Sequence, residues 1–262
     1  MQQSVDISWW QLAFFMLILS VPFMINRFLN LGLAQEFAIS IARMTAQLLL
    51  VGLYLEYLFT LNNVFINTIW LLVMLLIGAS AILSSTKLTK KHLYLPVLTG
   101  LSLSLLPILF ILLFLLLQPA PFYSAQYLIP ISGMLLGNSL SGNIVALQGL
   151  FSAFDDKKSE YETALSLGAR PLQAAFPFMQ AAFKKALAPI LASMTTTGIV
   201  TLPGMMTGQI LGGINPMTAI KYQLIIIVAI FVMLNVSVAT SLYLTLRTVL
   251  SHTGLIKVTK SN

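Results

Sequence analysis

The residues with chemical character sit in two stretches that are otherwise apolar. One reads Ile129-Pro130-Ile131-Ser132-Gly133-Met134-Leu135-Leu136-Gly137-Asn138-Ser139, and the other Leu202-Pro203-Gly204-Met205-Met206-Thr207-Gly208-Gln209. Amides such as Asn138, Asn143 and Gln209, and the hydroxyl of Thr196, are costly against hydrocarbon, so they must face protein or a water-filled path. Pro130 and Pro203 each lie shortly before a Gly-Met pair. A helix broken at such a point frees carbonyls that can line a cavity. Pro130, Met134, Asn138, Pro203, Met205, Met206 and Gln209 are therefore the expected lining of a substrate pathway. Gly133, Gly137, Gly204 and Gly208 have the four-residue spacing that lets helices approach closely, and helix packing is their expected role. Met134, Met205, Met206 and Met217 offer soft thioethers to a metal, but methionine more commonly fills gaps between helices. The metal assignment stays open.

Between these stretches lies the longest polar segment, about residues 155–187, opening Asp155-Asp156-Lys157-Lys158-Ser159-Glu160. The residues up to Gly168 can be helical. Gly168 and Pro171 then force a turn, with Pro171 well placed in the first turn of a second helix. The pattern predicts two short helices joined by a Gly-Ala elbow. It resembles the coupling segment of ATP-binding-cassette (ABC) permeases, in which a short helix pair docks into a cleft of a cytoplasmic ATPase. Glu162 to Gly168 has the six-residue step of that motif, with Thr163 in place of its usual first alanine and no I-x-L-P tail. The resemblance implies Glu160, Glu162, Ser166, Gly168, Ala169 and Arg170 as the ATPase-coupling residues.

The elements that must position these groups are membrane spans. Only 8% of the 262 residues are charged and the mean hydropathy is +0.93, whereas a soluble domain carries about 25% charged residues. Apolar runs near the ~20 residues a span requires predict spans at about Trp9–Met24, Met44–Phe59, Ile66–Leu83, Leu93–Leu117, Tyr127–Leu150, Ala188–Leu211 and Ala219–Leu246. The first has no basic residue before it and no small-x-small site after it, so it is expected to be a span rather than a signal peptide. With the N-terminus outside, Arg27, Arg43, Lys87, Lys90, Lys91, Lys157, Lys158, Arg170, Lys184, Lys185, Arg247, Lys257 and Lys260 all fall inside, and Lys221 alone outside. Basic residues concentrate on the cytoplasmic side of membrane proteins. The expected fold is thus an all-α integral membrane protein of about seven transmembrane helices, N-terminus outside and C-terminus cytoplasmic, forming one permease domain over 1–262. Glu36 is expected in an inner loop, and Arg43 and Gln47 to hydrogen-bond one turn apart. Tyr222 is expected as an interfacial anchor. The net charge of +7 serves orientation, not nucleic acid.

There is no cysteine, and the only histidines are His92 and His252, which leaves little for thiolate or imidazole chemistry. No G-x-x-x-x-G-K-[ST] loop, H-E-x-x-H or G-x-S-x-G occurs, so the P-loop route to ATP hydrolysis and the common hydrolase routes have no support. The two glycine-rich stretches, Leu165-Ser166-Leu167-Gly168-Ala169, Asn215-Pro216-x-x-Ala219-Ile220-Lys221-Tyr222-Gln223 and Arg43-x-x-x-Gln47-Leu48 together resemble the FetB-type iron-export ABC permeases of bacteria, whose plant relatives are linked to aluminium tolerance. The resemblance covers essentially the whole chain. It implies a bacterial inner-membrane permease subunit, with ATP and Mg on a separate cytoplasmic ATP-binding subunit and a complex of two permeases with two ATPases. The cargo it implies is iron; a chelated metal or another small solute fits the residues equally. The alternative open at this point is a self-contained secondary transporter or channel.

Overall fold

The computed structural model describes residues 7–86, 88, 90–251, 254 and 255, with backbone alone at 90 and 91. Lys87, Lys257 and Lys260, used above to argue orientation, lie outside the described residues, as do His252 and the side chains of Lys90 and Lys91. All described elements of regular structure are helical: α1 Trp9–Met16 and α2 Ser20–Phe28 joined by a single 3-10 turn, α3 Ala34–Leu61, α4 Val64–Thr86, α5 Lys90–Phe110 continuing as a π-helical stretch Ile111–Leu117, α6 Ala125–Asp156, α7 Lys158–Ser166, α8 Pro171–Thr196, α9 Gly204–Leu211 and α10 Pro216–Val249.

Six helical segments among the described residues are long and apolar enough to cross a membrane: Trp9–Phe28, Ala34–Leu61, Val64–Thr86, His92–Leu117, Ala125–Asp156 and Pro216–Val249. The seventh span expected, Ala188–Leu211, is not one helix. α8 begins in the polar segment and runs on to Thr196, an irregular stretch covers 197–203, and α9 resumes at Gly204. The polar segment accordingly holds one short helix and the start of a long one rather than two short helices. Glu36 stands in the first turn of α3 instead of a loop, where the helix dipole favours a carboxylate. Arg43 and Gln47 are both exposed on α3, without a hydrogen bond between them.

The body is formed by α4, α5, α6, α8 and α10. Leu75, Ile82, Leu93, Leu101, Leu135, Leu147, Met233 and Leu242 are buried in its centre. Lipid is as apolar as leucine, so close packing and interhelical hydrogen bonds carry helix association. Both are present where α5, α6 and α10 meet. A Cβ on Gly100 would strike Ser241 Oγ and the Ser237 carbonyl. Asn143 Nδ2 donates to Ser139 O at 2.9 Å within α6 and to Ser237 Oγ at 2.9 Å on α10.

Two ends of the body can be told apart. At one, Ala125 N–H donates to Asn62 Oδ1 at 2.9 Å and Asn67 Nδ2 donates to Tyr123 O at 2.8 Å, tying the α3–α4 turn to the start of α6. At the other, Gln148 Nε2 donates to Ser85 O at 3.2 Å, and α7 packs beneath α6 and α8 through Phe154, Tyr161 and Phe178. α8 runs antiparallel to α6: Phe178 meets Phe154, and Ala182 lies over Gly149. α1 and α2 bury only Asn26, and α3 joins the body at its C-terminal end alone, where Leu58 packs with Ala125 and Ile129 and Tyr54 meets Trp70.

Candidate functional site

The elbow forms as its residues dictate. The N–H of Gly168 donates to Leu165 O at 2.9 Å and that of Ala169 to Ala164 O at 3.0 Å, the paired bonds of a Schellman cap, in which the residue after the C-cap is left-handed. Gly168 fills that place with φ +89°. α8 then starts with Pro171 in its first turn, and Gln173 Oε1 reaches back to accept from the Arg170 N–H at 3.2 Å. Glu160 pairs with Lys157 at 3.3 Å and Glu162 with Lys158 at 3.6 Å. These are solvent-facing pairs, each worth at most about 0.5 kcal/mol, so both carboxylates can be released to another partner at small cost. Ser166 Oγ donates to Glu162 O at 2.9 Å. Leu167, which the sequence did not single out, is 84% exposed at the tip, and no atom lies within 4 Å of where a Gly168 Cβ would stand. The elbow thus offers an apolar tip and an open glycine between a carboxylate pair and Arg170.

α8 leads from the elbow to the break, which is built to satisfy its own backbone. Thr195, Thr196 and Thr197 each donate a hydroxyl to carbonyls of the last turn, Ala192 or Ser193, at 2.7–3.1 Å. Such side-chain bonds compete with the helix. Thr196 O then accepts from the Val200 N–H at 2.9 Å, and Gly198, at φ +91°, donates to Thr201 O at 2.8 Å. Non-helical backbone needs this kind of closure wherever water is excluded. Pro203 is the N-cap residue of α9.

Two cavities are stacked along α6, one on each side of the break. The larger, about 410 Å³, lies between α6, α9 and α10 and is lined by Pro130, Met134, Met205, Gln209, Thr218 and Tyr222 among others. Four of the seven pathway residues expected from sequence therefore meet in one cavity. Pro130 has no N–H to give the carbonyl of Gln126, and both residues line the wall. Gln209 Oε1 is buried and accepts no hydrogen bond among the described residues. Tyr222, expected as an interfacial anchor, lines this cavity, and so does Thr218 one turn earlier. Their i, i+4 spacing puts them on one face of α10, a signal the sequence carries.

The second cavity, about 200 Å³, lies between α6, α8 and α10 and holds Asn138, Ser141, Pro189 and Ser193. Asn138 is thus separated from the other pathway residues, and its Nδ2 donates to Met134 O at 2.8 Å. Pro203 and Met206 line neither cavity. The matched pair of broken helices does not occur, because α6 continues unbroken through Pro130. Among the glycines, a Cβ on Gly133 would meet Met74 Cε at 3.6 Å, whereas one on Gly137, Gly204 or Gly208 would stand in open space. Close helix packing at those three is therefore not met within one chain. Met217 is 66% exposed. Among the described residues no three His, Asp or Glu side chains gather as a metal site.

Six spanning-length apolar helices with cavities between them define a multi-pass membrane protein. The chain belongs to the family described as Uncharacterised protein family (UPF0014), which it matches over residues 9–250. Its relatives include the Bacillus subtilis protein named UPF0014 membrane protein YjkA, 32% identical over 82% of this chain and 85% of that one. Protein ALUMINUM SENSITIVE 3 of Arabidopsis thaliana is 32% identical over 82% of this chain and 77% of its own length. The Escherichia coli protein named Probable iron export permease protein FetB is 29% identical over 90% of both chains. No solved structure matches the chain.

Proposed function

We propose that this chain is the membrane-spanning permease subunit of an ATP-driven ABC exporter of the bacterial inner membrane, energised by a separate cytoplasmic ATP-binding subunit that carries ATP and Mg. It acts as one permease domain, with 155–187 as its coupling region, in a complex of two permeases and two ATPases. The N-terminus lies outside and the C-terminus inside, so that the elbow faces the cytoplasm. The observation that carries the reading is the continuity of α8. It starts at the Gly168 elbow, whose Leu167 tip is exposed, and runs as one helix to the break at 197–203 beside the two cavities.

In this mechanism, closure of the ATPase dimer pushes the elbow, α8 transmits the displacement as a rod, and the break lets α9 move against α6. The larger cavity then opens outward. The polar groups on its wall include thioethers, two amides and hydroxyls, from Met134, Met205, Gln126, Gln209, Thr218 and Tyr222. Without a lining carboxylate, this set holds a neutral or chelated cargo better than a bare hard cation. The name of the Escherichia coli relative supports iron as the cargo, and the lining groups suit it as a chelate, as they would another small solute.

Gly168→Trp tests the coupling. It places a bulky side chain at the docking point and at a positive φ that non-glycine residues resist. The variant should insert in the membrane and lose stimulation of ATP hydrolysis. Normal stimulation would remove the coupling role from the elbow.

A further inference from the structure

α7 is exposed along most of its length, with one exception. Tyr161 is 3% exposed, although its helix otherwise carries mostly polar residues at the surface. Three elements close over it. Phe154 from the end of α6 meets its ring edge-on at 5.3 Å, and Phe178 from α8 lies at 6.3 Å. The third is the segment after α10, where Tyr161 Oη donates to Gly254 O at 3.0 Å in a buried hydrogen bond.

That segment is shaped for the contact. Gly254 has φ +82°, a conformation glycine adopts without penalty. A Cβ there would stand 2.5 Å from Leu165 Cδ1 on α7. Ser251 fixes the turn from both sides: its carbonyl accepts from the Gly254 N–H at 3.0 Å, its N–H donates to Leu255 O at 3.0 Å, and its Oγ accepts from the Leu255 N–H at 2.9 Å. Burial raises the Tyr161 hydroxyl above its ordinary pKa, so it stays protonated and donating through the physiological range.

We infer that the turn after α10 is a strut that clamps α7 to the end of α10, so that a push on the elbow reaches α6, α8 and α10 together. Tyr161, Leu165 and Gly254 are its positioning residues. The functional consequence rests on the permease reading, whereas the clamp itself does not. Without the strut, α7 would remain hinged on α6 and α8 alone, and its displacement would be lost before reaching the α10 wall of the larger cavity.

The test uses the full chain in its membranes, with limited trypsin digestion at Lys157 and Lys158 as first readout and transport per ATP hydrolysed as second. Proteolysis of a transiently released helix follows the population of the open form. Tyr161→Phe removes one buried hydrogen bond and should raise cleavage roughly fivefold; Gly254→Val should raise it further and uncouple hydrolysis from transport while the ATP-binding subunit still co-purifies. Gly254→Ala should be partly rescued by Leu165→Ala, which makes room for the added methyl. If Gly254→Val fails to accumulate, Tyr161→Phe and the rescue pair decide the matter. Unchanged cleavage in Tyr161→Phe, or no rescue by Leu165→Ala, overturns the strut. A parent chain that recruits no ATP-binding subunit would instead overturn the permease reading, and the cleavage result would still settle the clamp.

Discussion

α6 and the α8–α9 segment flank the same pair of cavities and are both rich in glycine, proline and hydroxyl residues, yet one is a single helix of 32 residues and the other is broken at 197–203. Proline does not account for the difference. Pro130 lies inside α6, and Pro177 and Pro189 inside α8, without ending either helix. What separates them is the Thr195-Thr196-Thr197-Gly198 run, where three hydroxyls bond back to the last turn and Gly198 takes a left-handed conformation. α6 is continuous where it packs closely on α10: Asn143 binds Ser237 across to α10, and Gly142 leaves no room for a Cβ against Leu234. Where packing is dense a proline is absorbed, and where the backbone has its own alternative bonds the helix parts.

This contrast can be broken at the hinge first. Gly198→Val puts a β-branched residue at φ +91°, a strain of roughly 1–3 kcal/mol. Transport into vesicles should be lost and the thermal midpoint of the purified chain should fall; transport at the parent rate would mean that the break does not serve as a hinge. On the α6 side, Asn143→Leu removes the bond to Ser237 and should cost about 1 kcal/mol, read as a lowered melting temperature in detergent. Gln209→Leu sharpens the comparison from α9. Its amide oxygen has no partner among the described residues, so stability should stay within about 0.5 kcal/mol of the parent while cargo affinity drops. Smallest of all, Pro130→Ala gives Gln126 O a donor without lengthening α6, and helical content by circular dichroism should not change measurably.

The sequence disclosed those features that depend on neighbouring residues. Six spans follow from apolar runs, and the elbow follows from Gly168 and Pro171, both found where the turn needs them. Pro130, Met134, Met205 and Gln209 share a wall because they lie on facing turns of two adjacent segments. The break expected at Pro203 occurs, over 197–203, whereas the one expected at Pro130 does not, and the hydroxyl bonds of three threonines that open the first leave no mark in hydropathy. Asn138, expected beside the other pathway residues, lines the second cavity instead, because a helical stretch fixes the face of a residue but not which neighbour lies opposite at that depth. The clamp on Tyr161 was hidden altogether, for its partner Gly254 lies 93 residues away.

The most direct measurement of the central claim is purification of the tagged chain from its own membranes, followed by mass spectrometry and an ATPase assay. The account predicts a co-purifying ATP-binding-cassette protein with vanadate-sensitive hydrolysis. A chain that purifies alone under conditions that keep ABC complexes together, with transport that collapses with the proton gradient and survives ATP depletion, would contradict it.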